Sequence, residues 1–130
     1  AVSALAERMR IPNEYQELGR MVSLQHTRCH RAERHNGEEL FITIELTDAL
    51  RRPERFELFL RACEADARGR LGLENNPYPQ ATILRQALAA AREVVVKNLV
   101  QQHSDPQALS AAIRVERIHA IEKHLEQASS

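Results

Sequence analysis

Hydrophobic residues recur every three or four positions along most of this 130-residue chain, which is the spacing of one face of an α-helix. The clearest case follows Pro53, where Phe56, Phe59, Leu60 and Cys63 mark one apolar face. Only four glycines interrupt the chain, and the helix-favouring residues Ala, Leu, Glu, Gln and Arg are abundant. The sequence therefore predicts an all-α fold, an irregular bundle of five or six helices.

Prolines, glycines and capping residues divide the chain into helical pieces. Asn36-Gly37 is predicted to end one helix, because Asn-Gly readily takes the positive backbone angles of a turn. Ser104 is predicted to cap the last helix, with Pro106 in its first turn. The predicted helices cover residues 3–9, 12–34, 38–52, 53–69, 79–99 and 104 onward. The buried stripe of the second is expected to include Tyr15, and that of the fifth to include Val95.

Residues 38–50 carry two conflicting patterns. Ile42, Ile44 and Leu46 alternate with polar residues as they would in a strand. Against a strand, Glu38 suits the first turn of a helix, because its negative charge interacts favourably with the positive end of the helix dipole. A lone strand would have no partner elsewhere in the chain, so the prediction is helix.

Composition narrows the class of protein. The 18 basic and 18 acidic side chains give a net charge of zero, so no global charge draws the chain to nucleic acid or a membrane surface. Two cysteines without CxxC spacing indicate reduced thiols and a cytoplasmic protein. No apolar run approaches the roughly 20 residues of a membrane span. One helical domain over residues 1–130 is expected, and the opening "SALAERMRIP" reads like a helix already under way in a longer protein.

The middle of the chain is locally basic, and it carries the candidate RNA-binding residues. Arg51, Arg52 and Arg55 surround Pro53, and Arg68 and Arg70 follow on the same predicted helix. A planar guanidinium meets phosphate oxygens in pairs, so these five arginines are predicted to bind RNA. The alternative is a solvated face, because Glu64 and Asp66 precede Arg68 and Arg70 by four residues. No aromatic residue interleaves with the arginines, so base stacking is not predicted.

His26 and His30 are four residues apart on one predicted helix, and Glu33 lies one turn further on. Imidazoles and a carboxylate at this spacing can hold a divalent metal ion, so the pair is a candidate metal site. The alternative is chance spacing among the six histidines of the chain. No motif for a catalytic nucleophile and no phosphate-binding glycine loop occurs in the sequence.

Two segments have distinctive sequences: "RIPNEYQELGRMV" at 10–22 and "DALRRPERFELFLRACEADARGRLGLENNPYPQ" at 48–80. In order and spacing they resemble the carboxy-terminal region of bacterial tRNA nucleotidyltransferases, the CCA-adding enzymes, in the group that also carries an HD-type phosphohydrolase domain. The resemblance covers most of residues 5–100, and the last 30 residues resemble the family only in being a helix of suitable length. Around His26 the chain is similar to a later helix of the HD domain. Relatives often have an acidic residue directly after that histidine, where this chain has Thr27.

The resemblance implies that the chain holds the body of a tRNA. A head upstream in such enzymes adds C, C and A to the tRNA 3′ end from CTP and ATP, with magnesium held by carboxylates. On this reading residues 1–130 are the later part of the HD-type domain and the tRNA-binding helices, inactive by themselves and without a cofactor of their own. Two alternatives stay open: a helical protein-interaction module, which the neutral charge also suits, and a remnant of an HD-type metal phosphohydrolase.

Overall fold

The computed structural model describes residues 11–70 and 77–129, and most of these residues are helical. No strand occurs in the described ranges, so the all-α prediction is confirmed, including helix at residues 38–46. The predicted helix at 3–9 lies outside the described residues. The described ranges contain six α-helices, α1 (Ile11–His30), α2 (Gly37–Leu46), α3 (Pro53–Arg70), α4 (Pro79–Arg92), α5 (Val96–Gln102) and α6 (Pro106–Ser129), with a 3₁₀ turn at Ala32–Arg34. None of the helices in these ranges is long and apolar enough to cross a membrane.

The core lies where α1 packs on α3 and where α2 and α4 pack on α6. The predicted apolar face of α3 is buried here, from Phe56 to Cys63. Fully burying a side chain of this size contributes about 1.5–3 kcal/mol. The largest fully buried hydrophobic side chains are Phe56, Phe59, Leu40, Ile44, Leu60, Leu84 and Ile121.

Helices α1 and α3 run in the same direction. Glu17 on α1 pairs with Arg52 and Arg55 at the start of α3. Thirteen residues later, His30 at the end of α1 pairs with Asp66 near the end of α3. The first turns of α1 are thereby placed beside the start of α3, and its last turn beside the later part of α3.

The segment Asn36-Gly37 begins α2 instead of forming a turn with positive backbone angles. The Asn36 side chain accepts a hydrogen bond from the Glu39 N–H, and the Glu39 carboxylate accepts one from the Asn36 N–H. This reciprocal pair is a capping box. A Cβ at Gly37 would overlap the side chain of Glu122, whose backbone nitrogen would be only 3.2 Å away. Glycine is therefore required because α6 approaches closely.

Helix α2 ends at Leu46, earlier than the predicted residue 52. Asp48 has a φ of 54°, and the Ala49 N–H donates to the Ile44 carbonyl. This left-handed residue ends the helix as in the common C-terminal capping motif. Arg51 therefore lies in the connection between α2 and α3.

Three other predicted boundaries are wrong. The helix predicted over 79–99 breaks after Arg92, and Val95 is extended and 62% exposed. Three consecutive β-branched valines, 94–96, restrict their side chains in a helix, and the break lets α5 pack against α6. Asp105, not Ser104, caps α6, because its carboxylate accepts a hydrogen bond from the Ala108 N–H at 3.1 Å. The helix predicted to reach residue 34 ends at His30.

Candidate nucleic-acid interface

Two of the predicted RNA-binding arginines have exposed guanidinium groups at the start of α3. The Arg51 side chain is 81% exposed, and its Nε lies 3.5 Å from the Asp48 carboxylate. Arg52 is 37% exposed and pairs with Glu17 at 3.2 Å. Exposed ion pairs contribute only about 0–1 kcal/mol, so either arginine can exchange its partner for a phosphate at little cost.

Arg55 has a different environment from its two neighbours. Its side chain is 16% exposed, it donates to the Thr47 carbonyl at 3.1 Å, and it pairs with Glu17 at 3.3 Å. Arg55 thereby ties the turn after α2 to α1 and α3. Its geometry is that of a structural residue, and its predicted RNA contact stays a prediction.

Arg68 and Arg70 lie at the other end of α3. A helix rises 1.5 Å per residue, so Arg68 is about 22 Å from Pro53 along the axis. Arg68 pairs with Glu64 at 2.8 Å, as the four-residue spacing indicated. The side chain of Arg70 lies outside the described structure. Arg68 therefore does not belong to one patch with Arg51 and Arg52.

Helix α6 supplies two arginines that the sequence reasoning missed. Arg114 and Arg117 border a cavity of about 520 Å³ between α2 and α6, and Arg51 borders the same cavity. Arg114 makes two hydrogen bonds to Glu45, at 3.0 and 3.1 Å, whereas the buried Nε of Arg117 has no hydrogen-bond partner in the described structure. The two arginines are three residues apart, which places them on one helix face, and that spacing was the available signal.

A second cavity, of about 300 Å³, lies between the first turns of α1 and the start of α3. Arg51, Arg52 and Arg55 line one part of it, and Tyr15 lines another. Tyr15 was predicted to be buried, but it is 48% exposed because it lies at the edge of the α1–α3 contact. An aromatic ring therefore does lie beside the arginines. It comes from a helix 36 residues earlier in the chain, so its position was not visible in the local sequence.

The predicted metal-binding histidines have protein partners. Their rings are 5.6 Å apart, and Nδ1 of His26 lies 3.0 Å from the Val22 carbonyl, to which it donates. His30 uses both nitrogens: Nε2 is 3.2 Å from the Asp66 carboxylate, and Nδ1 is 2.7 Å from the Tyr78 hydroxyl. Within residues 11–70 and 77–129, no group of three or more His, Cys, Asp or Glu side chains could hold a metal ion. Glu33 therefore does not complete a three-ligand site with them, and metal binding by His26 and His30 stays a prediction.

The contacts around His30 form a chain of hydrogen bonds. In the neutral tautomer that donates from Nε2 to Asp66, Nδ1 accepts from the Tyr78 hydroxyl. The oxygen of that hydroxyl also lies 3.3 Å from the Cys29 sulfur, within hydrogen-bond distance. The hydrogen bond to Cys29, followed by burial, raises the pKa of the Cys63 thiol, and burial raises the pKa of Tyr78. Both groups are therefore neutral near pH 7. Cys63 and Tyr78 therefore offer no activated nucleophile, whereas the hydrogen bond from Cys63 lowers the pKa of the Cys29 thiol.

Several curated proteins are similar to nearly the whole chain, and all carry the name Multifunctional CCA protein. The relative from Pseudomonas fluorescens strain Pf-5 is 46% identical over 126 residues, which cover 97% of this chain and 31% of that protein. Those from Paraburkholderia phymatum and Burkholderia multivorans are 45% and 47% identical, covering 97% and 94% of this chain and 30% of each relative. No family model and no solved structure matches the chain.

The similarity extends further than the resemblance read from the sequence, because an alignment over 126 of 130 residues must include most of the last 30. The chain spans about three tenths of the length of the curated relatives it matches. The predicted resemblance is thereby confirmed: this chain is a homologue of the multifunctional CCA proteins and corresponds to their carboxy-terminal region.

Proposed function

We propose that this chain binds tRNA as the carboxy-terminal part of a CCA-adding tRNA nucleotidyltransferase, in the cytoplasm. It holds the body of the tRNA while another part of the longer protein extends the 3′ end. The observation that carries the proposal is the position of Arg51, which is 81% exposed and borders both cavities described above. Arg52 extends this basic surface along α3, and Arg117 extends it along α6.

Binding of this kind depends on phosphates and on the shape of the folded RNA. Proteins hold RNA helices mainly through phosphate and ribose contacts, because the deep major groove hides the base edges. The net charge of the chain is zero, so attraction must come from a local group of arginines. We therefore expect modest affinity that falls steeply as salt rises.

The chemistry of nucleotide addition belongs to the longer protein in this proposal. CTP, ATP and magnesium would be used there, and the described residues offer no cluster of three metal ligands. Positioning the tRNA body is the contribution that these helices can make. Arg51, Arg52 and Arg117 would do so by holding phosphates at fixed places on the bundle surface.

A salt titration of tRNA binding tests the proposal. The wild-type chain should bind tRNA with an affinity that falls linearly on logarithmic axes, and Arg51→Ala with Arg117→Ala should weaken binding and reduce the slope by about two. The matched control is Arg31→Ala with Arg61→Ala, which removes equal charge from two exposed positions outside the interface. Arg55 is left unchanged because its loss would disturb the turn after α2.

Equal loss in the two double variants would contradict the proposal, because it would make binding a property of total charge. Undetectable tRNA binding by the wild-type chain at low salt would also contradict it. Circular dichroism of each variant shows whether a loss of binding comes from unfolding.

A further inference from the structure

We infer that the cavity between α1 and α3 is a pocket for one unpaired nucleotide of RNA, with its base stacked on Tyr15 and its phosphate held by Arg51 and Arg52. The inference rests on the proposed function, because it names the part of the RNA that this surface takes. A surface that only attracts phosphates needs neither an aromatic ring nor a cavity.

The size and walls of the cavity suit a nucleobase. Its volume of about 300 Å³ is at the lower end of the range for ligand pockets, about 300–1,000 Å³. Tyr15, Leu18 and Leu58 form the apolar part of its lining. Leu58 is 39% exposed, so the apolar surface is open to a ligand from solvent. A flat aromatic base would remove much of this surface from water.

Tyr15 differs from the other phenylalanine and tyrosine residues of the described structure. The three phenylalanines are buried in the core, and the Tyr78 hydroxyl is bound to His30 and Cys29. Tyr15 is 48% exposed, and the core does not depend on its ring. Stacking of a base on an exposed aromatic contributes about 1–3 kcal/mol, with little preference for sequence.

The charges around the cavity favour a nucleotide within an RNA chain. Three guanidinium groups line it together with the carboxylates of Glu14 and Glu54. Arg51 and Arg52 would exchange their ion-pair partners, Asp48 and Glu17, for the phosphate. A phosphodiester carries a single charge that one or two arginines can match. A free nucleoside triphosphate would bring several charges toward Glu14 and Glu54 and is disfavoured. An apolar side chain of a protein partner would fill the pocket but would leave Arg51 and Arg52 without a new partner.

The two tyrosines of the chain, and its lack of tryptophan, allow a direct test by ¹⁹F NMR. Protein labelled with 3-fluorotyrosine should give two resonances, and Tyr78→Phe assigns them. Addition of tRNA, or of the unpaired RNA hexamer hexauridylate, should shift the Tyr15 resonance and leave that of Tyr78 in place. Polyphosphate of equal charge is the control, and it should shift the Tyr15 resonance less than RNA does, because it has no base to stack on the ring. A Tyr15 resonance that responds equally to polyphosphate would overturn the inference.

Substitutions separate this inference from the proposed function. Tyr15→Ala should weaken tRNA binding about tenfold, the lower part of the effect measured for loss of a stacked base. Tyr15→Phe should restore binding, and Leu24→Ala, which trims a side chain 67% exposed on the same helix, should have no effect.

Each result has a distinct meaning. If tRNA binds with salt dependence but Tyr15→Ala binds equally well, the nucleotide pocket is wrong and the proposed function stands. If tRNA does not bind while hexauridylate still shifts Tyr15, the pocket stands and the tRNA proposal fails. If neither RNA shifts Tyr15, and an apolar peptide does, the cavity is a protein-binding site and the inference is overturned.

Discussion

The two ends of the α1–α3 pair use polar side chains in opposite ways. At the open end, Glu17 and Arg52 form an ion pair in which both side chains are more than one-third exposed. At the closed end, Cys29, His30 and Tyr78 satisfy one another in a chain of hydrogen bonds, with Cys29 fully buried. Buried polar groups stabilise a fold when they are fully satisfied, whereas exposed charges contribute little. The closed end therefore specifies how the helices pack, and the open end leaves charges free to meet a ligand.

Each end has one of the two tyrosines, Tyr15 at the open end and Tyr78 at the closed end. Replacing each one tests whether only the closed end contributes to the stability of the fold. Tyr78→Ala removes a ring that packs edge-on against His30 and a hydroxyl that links two helices. We expect the free energy of unfolding to fall by about 3 kcal/mol, the cost of a large-to-small change at a packed aromatic. Tyr15→Ala should change it by less than about 0.5 kcal/mol, because Tyr15 lies half-exposed at the open end. Urea denaturation followed by circular dichroism measures both.

Tyr78→Phe serves as the control for the closed end. It keeps the ring and removes only the hydroxyl, leaving two former partners unsatisfied, so a loss of about 1 kcal/mol is expected. If Tyr15→Ala proves as costly as Tyr78→Ala, the open end contributes to the core and the division between the ends is wrong.

His35, which follows the 3₁₀ turn after α1, is expected to make the free energy of unfolding depend on pH. Its side chain is 9% exposed, and its Nδ1 has no hydrogen-bond partner in the described structure. Burial lowers the pKa of His35 below its usual 6.5, and Arg28 and Arg31 lower it further, whereas Glu39 opposes the shift. In the folded protein the neutral imidazole is therefore favoured.

The sign of the effect follows from proton binding. Between the lowered pKa of the folded state and 6.5, the unfolded chain binds more protons than the folded chain, so the free energy of unfolding falls as pH decreases. Above pH 6.5 this contribution is complete and constant. His35→Gln should flatten the dependence between pH 7 and 5 in urea denaturation. A variant at the exposed His119 should keep the wild-type slope, and equal slopes in wild type and His35→Gln would contradict the prediction.

The sequence predicted the helices best where one pattern determined them. The apolar face from Phe56 to Cys63 and the pair Glu64–Arg68 appear as expected, because both depend only on the periodicity of a single helix. The break at Val95 was missed because it depends on how α5 packs on α6. Gly37 was predicted to serve a turn, but glycine is needed there because Glu122, 85 residues later in the sequence, packs against it.

The site was harder to predict than the fold. The sequence grouped Arg51, Arg52 and Arg55 together as candidates but did not show that Arg55 is less exposed, since its exposure depends on Glu17 and Thr47 in other elements. Tyr15 on α1 and Arg117 on α6 line two different cavities that share Arg51, which no local pattern reveals. A composite surface of this kind requires the tertiary arrangement.

The smallest expected effect comes from Asp48 at the open end, where stability and binding can be separated. Asp48 has a φ of 54°, a conformation that costs a residue with a Cβ roughly 1 kcal/mol but costs glycine little. Its carboxylate is also the ion-pair partner of Arg51. Asp48→Gly should therefore raise the free energy of unfolding by about 0.5 kcal/mol, because the greater freedom of glycine in the unfolded chain offsets part of the gain.

Asp48→Ala is the matched control, since it removes the same carboxylate but keeps a Cβ at the left-handed position. Both variants should bind tRNA slightly more tightly than wild type at low salt, because Arg51 loses a competing partner. Only Asp48→Gly should be more stable in urea. Equal stability of the two variants would show that the left-handed turn stores no strain, and unchanged tRNA affinity in both would show that Arg51 does not need to leave Asp48 to meet a phosphate.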